Sequence, residues 1–221
     1  YQSHFKFKQP PFRTITGFSG DFLVPYHQDV FNLLKEKSQV AGIIGLFCND
    51  APLLGHFSDA LKASLPGAIA INAFPKLSAS SLLYKLNPGT KESKSRIQAV
   101  DAVLHQWQGG KNRSKTLVIR HAEAMKETCR EVLGMLLTRA QELEFRLSIV
   151  LMGSADQEAA LLHPSELREY AHTRHTLRPL TCREFLSYVQ AQCEEHGCEN
   201  SPLTPARVRK MHALTKGNIS K

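Results

Sequence analysis

Val40-Ala-Gly-Ile-Ile-Gly-Leu-Phe47, the polar turn Asn49-Asp50, and Pro52-Leu-Leu54 with Phe57, Ala60 and Leu61 beyond it form the stretch whose reading decides the fold. The apolar run is short and ends in a turn signal, which fits a strand buried on both faces. From Pro52 onward the apolar positions switch to helical spacing, with Leu53, Leu54, Phe57, Ala60 and Leu61 on one side. Pro52 suits the first helical turn, where its missing N–H costs nothing. Residues 40–64 therefore read as strand, turn, helix.

The same alternation extends outward. Upstream, residues 27–38 read as a helix carrying Val30, Phe31, Leu33 and Leu34. Downstream, Ala68–Asn72 is a second strand, and Ser78 precedes a short helix through Leu82, Leu83 and Leu86. A polar loop (87–95) leads to a helix over 96–108, striped by Ile97, Val100, Val103, Leu104 and Trp107. Thr116–Ile119 is a β-branched strand, 123–143 a long helix, and Leu147–Met152 a fourth strand. After about Pro164 the strand signal stops, and helices over 181–196 and 204–215 open on Thr181 and Thr204 as N-caps. Strands alternating with helices, then helices alone, predict an α/β fold: a parallel sheet flanked by helices, of the P-loop NTPase-like type, with a small C-terminal helical lid. The expected organisation is an aromatic and proline-rich arm over 1–26, an α/β core over 27–165 and a helical subdomain over 166–221. Pro10-Pro11 blocks a long helix in the arm.

The chain has 221 residues, 42% of them hydrophobic and 22% charged, the balance of an ordinary globular protein rather than a disordered one. It contains no apolar run of about 18 residues, and its opening does not read as a signal peptide, so neither a membrane span nor a leader is expected in this stretch. It begins at Tyr1 rather than Met and is expected to be a piece of a longer protein. The net charge of +8 favours an acidic partner, although the Lys and Arg are dispersed. Five cysteines, none in a CxxC pair, fit a reduced cytosolic compartment.

The strand–turn–helix at 40–64 is where a phosphate-gripping loop would sit. Its pattern is GxxxxGK[ST]: backbone N–H groups surround the phosphates, the lysine neutralises them and the hydroxyl holds magnesium. Here Gly45 fits the first position, but Asp50 replaces the second glycine, Ala51 the lysine and Pro52 the hydroxyl. A carboxylate about 4 Å from a phosphate charge is repelled by roughly 4 kcal/mol at an effective dielectric near 20. The next test is the strand at 116–119, which should end in metal-binding acids. It is followed by Arg120 and His121, with Glu123 further on, where it is expected to favour a helix start.

The order of these segments resembles the AAA+ ATPase domain of the general secretion pathway protein A family, which includes pilus-biogenesis and DamX-like cell-division relatives. Tyr1–Phe5 with Pro10-Pro-Phe12 is similar to that family's N-terminal arm, and Gly45–Leu54 to its Walker A region. Thr116–Met125 is similar to its Walker B strand, with Arg120-His-Ala-Glu123 where "DEAQ" is usual. Ile149–Gly153 is similar to the sensor strand, and Leu177–Leu180 to the approach to the lid. Leu214-Thr-Lys-Gly217 resembles the late lid motif, without the proline and arginine that usually follow. The resemblance implies an ATPase fold with a vestigial nucleotide site at Gly45, Asp50, Ala51, Pro52, Arg120 and His121, of which all but Gly45 depart from the motif.

The expectation is therefore a non-hydrolysing module, with no catalytic residue, cofactor or metal. It would bind proteins in a bacterial envelope, secretion or cell-division assembly, on the cytoplasmic side of the inner membrane, where a parent segment would make any membrane contact. Arg174 and Arg178, in the basic run with His172 and His175, are the candidate partner-binding residues. A nucleic-acid-binding AAA+ regulator is the alternative. A third reading keeps hydrolysis through a displaced lysine, Lys115. Cys193, His196, Cys198 and His212 lack the paired spacing of a zinc site and read as ordinary side chains. No GxSxG pattern accompanies His121.

Overall fold

The computed structural model describes residues 24–92, 95–110, 113–161, 165–195 and 203–218. The arm expected over 1–26 therefore lies outside them up to residue 23. Five strands make one sheet: β1 (Gly42–Phe47), β2 (Ile69–Asn72), β3 (Ser114–Arg120), β4 (Arg146–Gly153) and β5 (Ala171–Thr176). Their spatial order is β2-β3-β4-β1-β5, and every neighbouring pair is parallel. The helices are α1 (Pro25–Lys37), α2 (Ala51–Ser64), α3 (Ala79–Leu86), α4 (Arg96–Gln108), α5 (Glu127–Glu142), one-turn α6 (Glu158–Leu161) and α7 (Ser165–Arg168), α8 (Cys182–Glu195) and α9 (Pro205–Thr215).

The strand period of two divides the core. Ile43, Phe47, Leu117, Ile119, Ile149 and Leu151 face one side, where α3, α4 and α5 cover them. Ile44, Leu46, Val118, Val150 and Met152 face the other, packed against α1 and α2. β1 is buried at every residue, as a central parallel strand between covered faces must be. A third, smaller cluster joins α8 and α9 through Phe185, Tyr188, Val189, Cys193 and Val208, with Val24 and Leu180 against it.

β5 corrects the expectation that only helices follow Pro164. It pairs with β1 from Ile43 to Phe47, so the sheet takes in residues beyond 165. Its sequence, AHTRHT, is polar, and its residues alternate between half-buried and exposed as befits an edge strand. The helix expected over 123–143 also divides: Ala122–Ala124 is a 3-10 turn and α5 starts at Glu127. Among the described residues no helix is long and apolar enough to cross a membrane.

Candidate functional site

The connection from β1 to α2 contains only Cys48, Asn49 and Asp50. Gly45, Leu46 and Phe47 are still in the sheet, in register with Leu151, Met152 and Gly153 of β4. A loop that wraps phosphates must leave the strand to do so; three residues suffice only to turn the chain. Gly45 has a packing reason instead. A Cβ there would lie 2.5 Å from the ring of Phe47, which folds back over it.

Asp50 is the N-cap of α2. Its Oδ1 accepts a hydrogen bond from the Leu53 N–H at 3.0 Å, and the residue is 4% exposed. The free N–H groups and the dipole of a helix start attract an anion, and here the chain supplies its own. Asp50 N–H donates in turn to Cys48 Sγ at 3.3 Å. Ala51, exposed, opens α2, and Pro52 follows it in the first turn. Asn49, which the sequence marks only as a turn residue, ties this turn to the end of β4. Its Oδ1 accepts from Ser154 Oγ at 2.9 Å and from the Ala155 N–H at 3.0 Å.

Arg120 and His121 do not converge on this turn. Arg120 Nε donates to Asn72 Oδ1 at 2.9 Å, and its Nη1 lies 4.0 Å from Asp59 Oδ1 on α2. Gly55 leaves room for this guanidinium, since a Cβ there would sit 3.2 Å from Nη1. His121 adopts a left-handed backbone, φ 53°, uncommon outside glycine, and its Nδ1 is 3.6 Å from Glu123 Oε1. Glu123 does not serve a helix start as expected: it sits in the 3-10 turn, with Oε2 against Gly153 and without a hydrogen-bond partner among the described residues. Lys115 is at the opposite end of β3 from Arg120, its Nζ 5.9 Å from the centre of the Trp107 ring. A seven-residue strand spans about 20 Å, so Lys115 is misplaced as a substitute for the missing lysine.

Above the β1–α2 turn lies a cleft of about 290 Å³ at the C-terminal ends of β1 and β5. Its walls include His27, Asp50, Leu53, Leu177, Arg178 and Gly217, so the lid segment forms one side. A larger groove of about 620 Å³, between α4, α5 and Tyr170, contains none of the candidate residues. His27 is buried, which pushes its pKa down to about 4 and leaves it neutral at pH 7. Burial likewise pushes the Cys48 thiol up.

Arg178 is engaged within the chain. Its two Nη atoms donate to the Glu184 carboxylate at 2.7 Å each, and its guanidinium lies 4.1 Å from the centre of the Tyr26 ring. Glu184 also accepts from the N–H and hydroxyl of Thr181, at 2.8 and 2.7 Å, while Thr181 Oγ1 accepts from the Glu184 N–H. That is a capping box, legible as Thr181-Cys-Arg-Glu184. Arg178 above all holds the carboxyl of Glu184 at a pKa of about 2. Arg174 is exposed on the edge strand β5 and makes no ion pair among the described residues. Cys193 is buried in the lid cluster, and His212 Nε2 lies 2.8 Å from Leu180 O; His196 and Cys198 lie outside the described residues.

No family model matches the sequence, and no curated protein matches it. Solved structures do match. ORC1 of Aeropyrum pernix, determined in complex with DNA, superposes with a TM-score of 0.68 at 14% identity, covering 96% of this chain and 61% of that one. The fold is that of these structures, a parallel α/β sheet of the P-loop NTPase-like type. ORC2 of Aeropyrum pernix, in its ADP form, gives 0.63 at 11% identity over 93% of this chain and 63% of its own. RuvB of Thermotoga maritima gives 0.51 at 13% identity over 88% and 57%. The chain thus spans about three fifths of the length of these structures.

Proposed function

We propose that this domain is a non-hydrolysing AAA+ module that binds a partner rather than turning over ATP. The observation that carries this is the buried Asp50 carboxylate capping α2, where a triphosphate would need bare N–H groups. The three-residue turn and Ala51 support it, because no loop or lysine remains to hold the phosphates. Arg120 supports it as well, since it places a cation at the end of β3 where a magnesium ion would need carboxylates. The resemblance to general secretion pathway protein A ATPases leads to a protein-interaction role in a bacterial envelope, secretion or cell-division assembly. Incubation with ATP and magnesium is expected to release phosphate at the buffer rate. Steady release that Asp50→Ala or Asn49→Ala alters would overturn the reading.

A second reading is a nucleic-acid-binding regulator. The net charge of +8 favours it, as does the likeness to a fold solved with DNA bound. Its mark would be affinity for an oligonucleotide that falls steeply with added salt.

A further inference from the structure

Residues 60–91 contain Lys62, Lys76, Lys85 and Lys91 and not one Asp or Glu. This stretch runs from the end of α2 through β2, the edge strand, to α3 and the turn beyond it. Two exposed aromatic rings lie on it, Phe74 at 42% and Tyr84 at 49%. Neither serves the core. α3 buries Ala79, Leu82, Leu83 and Leu86, and leaves Ser80, Ser81, Tyr84 and Lys85 in water. Phe74, Pro75 and Lys76 are exposed in the turn that the Leu77 N–H closes on Phe74 O at 2.9 Å. Three acids on nearby elements are matched with arginines: Asp59 with Arg120, Asp101 with Arg139, and Glu131 with Arg96.

Flat apolar faces beside Lys76 and Lys85, which make no ion pair among the described residues, fit a ligand that alternates flat rings with anionic links. We propose that this stretch binds single-stranded nucleic acid, with Phe74 and Tyr84 stacking on unpaired bases and Lys76 and Lys85 facing phosphates. A duplex hides the base faces, so single strands are the better match. An acidic protein would use the lysines and leave the rings without a role. The inference rests on the nucleic-acid reading and adds its location.

The test is fluorescence anisotropy of the whole chain with a labelled single-stranded oligothymidylate, from about 50 to 200 mM salt. Wild-type binding should weaken steeply with salt. Phe74→Ala with Tyr84→Ala should weaken it about tenfold or more at fixed salt, with the salt slope retained. Lys76→Gln with Lys85→Gln should lower the slope by about 1.4, the value for two phosphates of a single strand. All four residues are exposed, so the melting temperature should stay at the wild-type value in every variant. Binding indifferent to the aromatic substitutions overturns this surface and leaves the nucleic-acid reading standing. No binding at the lowest salt overturns both. Displacement by polyglutamate as effective as by the oligonucleotide assigns the surface to an acidic protein and overturns the proposal.

Discussion

Lowering the pH from 7 to 4 is expected to cost the folded protein about 3 kcal/mol through His27 alone. His27 lies on α1, 3% exposed, with its ring edge-on to Phe57 at 6.0 Å. Burial is the largest influence and lowers its pKa to about 4; Glu184 and Asp50 pull it partly back up, while Arg178 and His56 lower it further. The unfolded chain takes up this proton near the ordinary value of 6.5, and the folded chain only near 4. Acid therefore favours the unfolded state across that window, and the loss levels off below it. Glu184 acts in a separate window: its depressed pKa adds stability that is complete above about 4.5 and disappears as the pH falls toward 2. Three other histidines, His56, His172 and His175, have lowered values too, so the wild-type slope is a sum. The difference between wild type and His27→Gln in urea unfolding at pH 7, 5.5 and 4 isolates the one residue. The gap in stability should narrow as the pH falls; a constant gap would show that His27 titrates normally in the fold.

Replacing Gly217 with valine should loosen the lid by about 2–3 kcal/mol while the sheet keeps its stability. Gly217 has φ 76°, where a β-branched side chain is strained. A Cβ there would meet Leu180 O at 2.3 Å and Leu180 N at 3.0 Å, and both are backbone atoms with little room to yield. Leu180 is also fixed by its own contacts: its N–H donates to Gly217 O at 3.1 Å, and its carbonyl lies 2.8 Å from His212 Nε2. The third core cluster is small and separate from the two that cover the sheet. Local opening should thus be confined to α8, α9 and the cleft wall. Hydrogen exchange is the measurement. Faster exchange in α8 and α9 with β1, β3 and β4 unchanged is the expected pattern, whereas a uniform loss would mean that lid and sheet open as one unit.

The sheet was largely legible in the sequence because its central strands are buried on both faces. Ile43–Phe47, Leu117–Ile119 and Ile149–Met152 are continuous apolar runs, and no other assignment would bury them. β5 was not legible because an edge strand leaves one row of side chains in water. Its His172, Arg174 and Thr176 are exposed, so a polar run concealed a parallel strand. At the candidate site, Asp50 and Ala51 could be read as losses from a motif, but the length of the turn could not. Only the register of Gly45 with Leu151 places the first glycine inside the strand. Arg178 read as a free basic residue because its partners are distant or disguised. Tyr26 is 152 positions away, and Glu184 was legible only through its capping box with Thr181. Arg120 and His121 were read as one altered metal site, yet they turn to different partners, Asn72 and Glu123.

The most direct test of the lost nucleotide site is the melting temperature of the domain with and without ATP and magnesium. A ligand that binds only the folded state must raise it, by an amount that grows with concentration over Kd; at a hundredfold excess over Kd the gain is about 2.7 kcal/mol. With Asp50 on the helix start and three residues in the turn, the expected melting temperature is the same in both samples up to millimolar ATP. A rise of several degrees that saturates with ATP and disappears on removal of magnesium would contradict it.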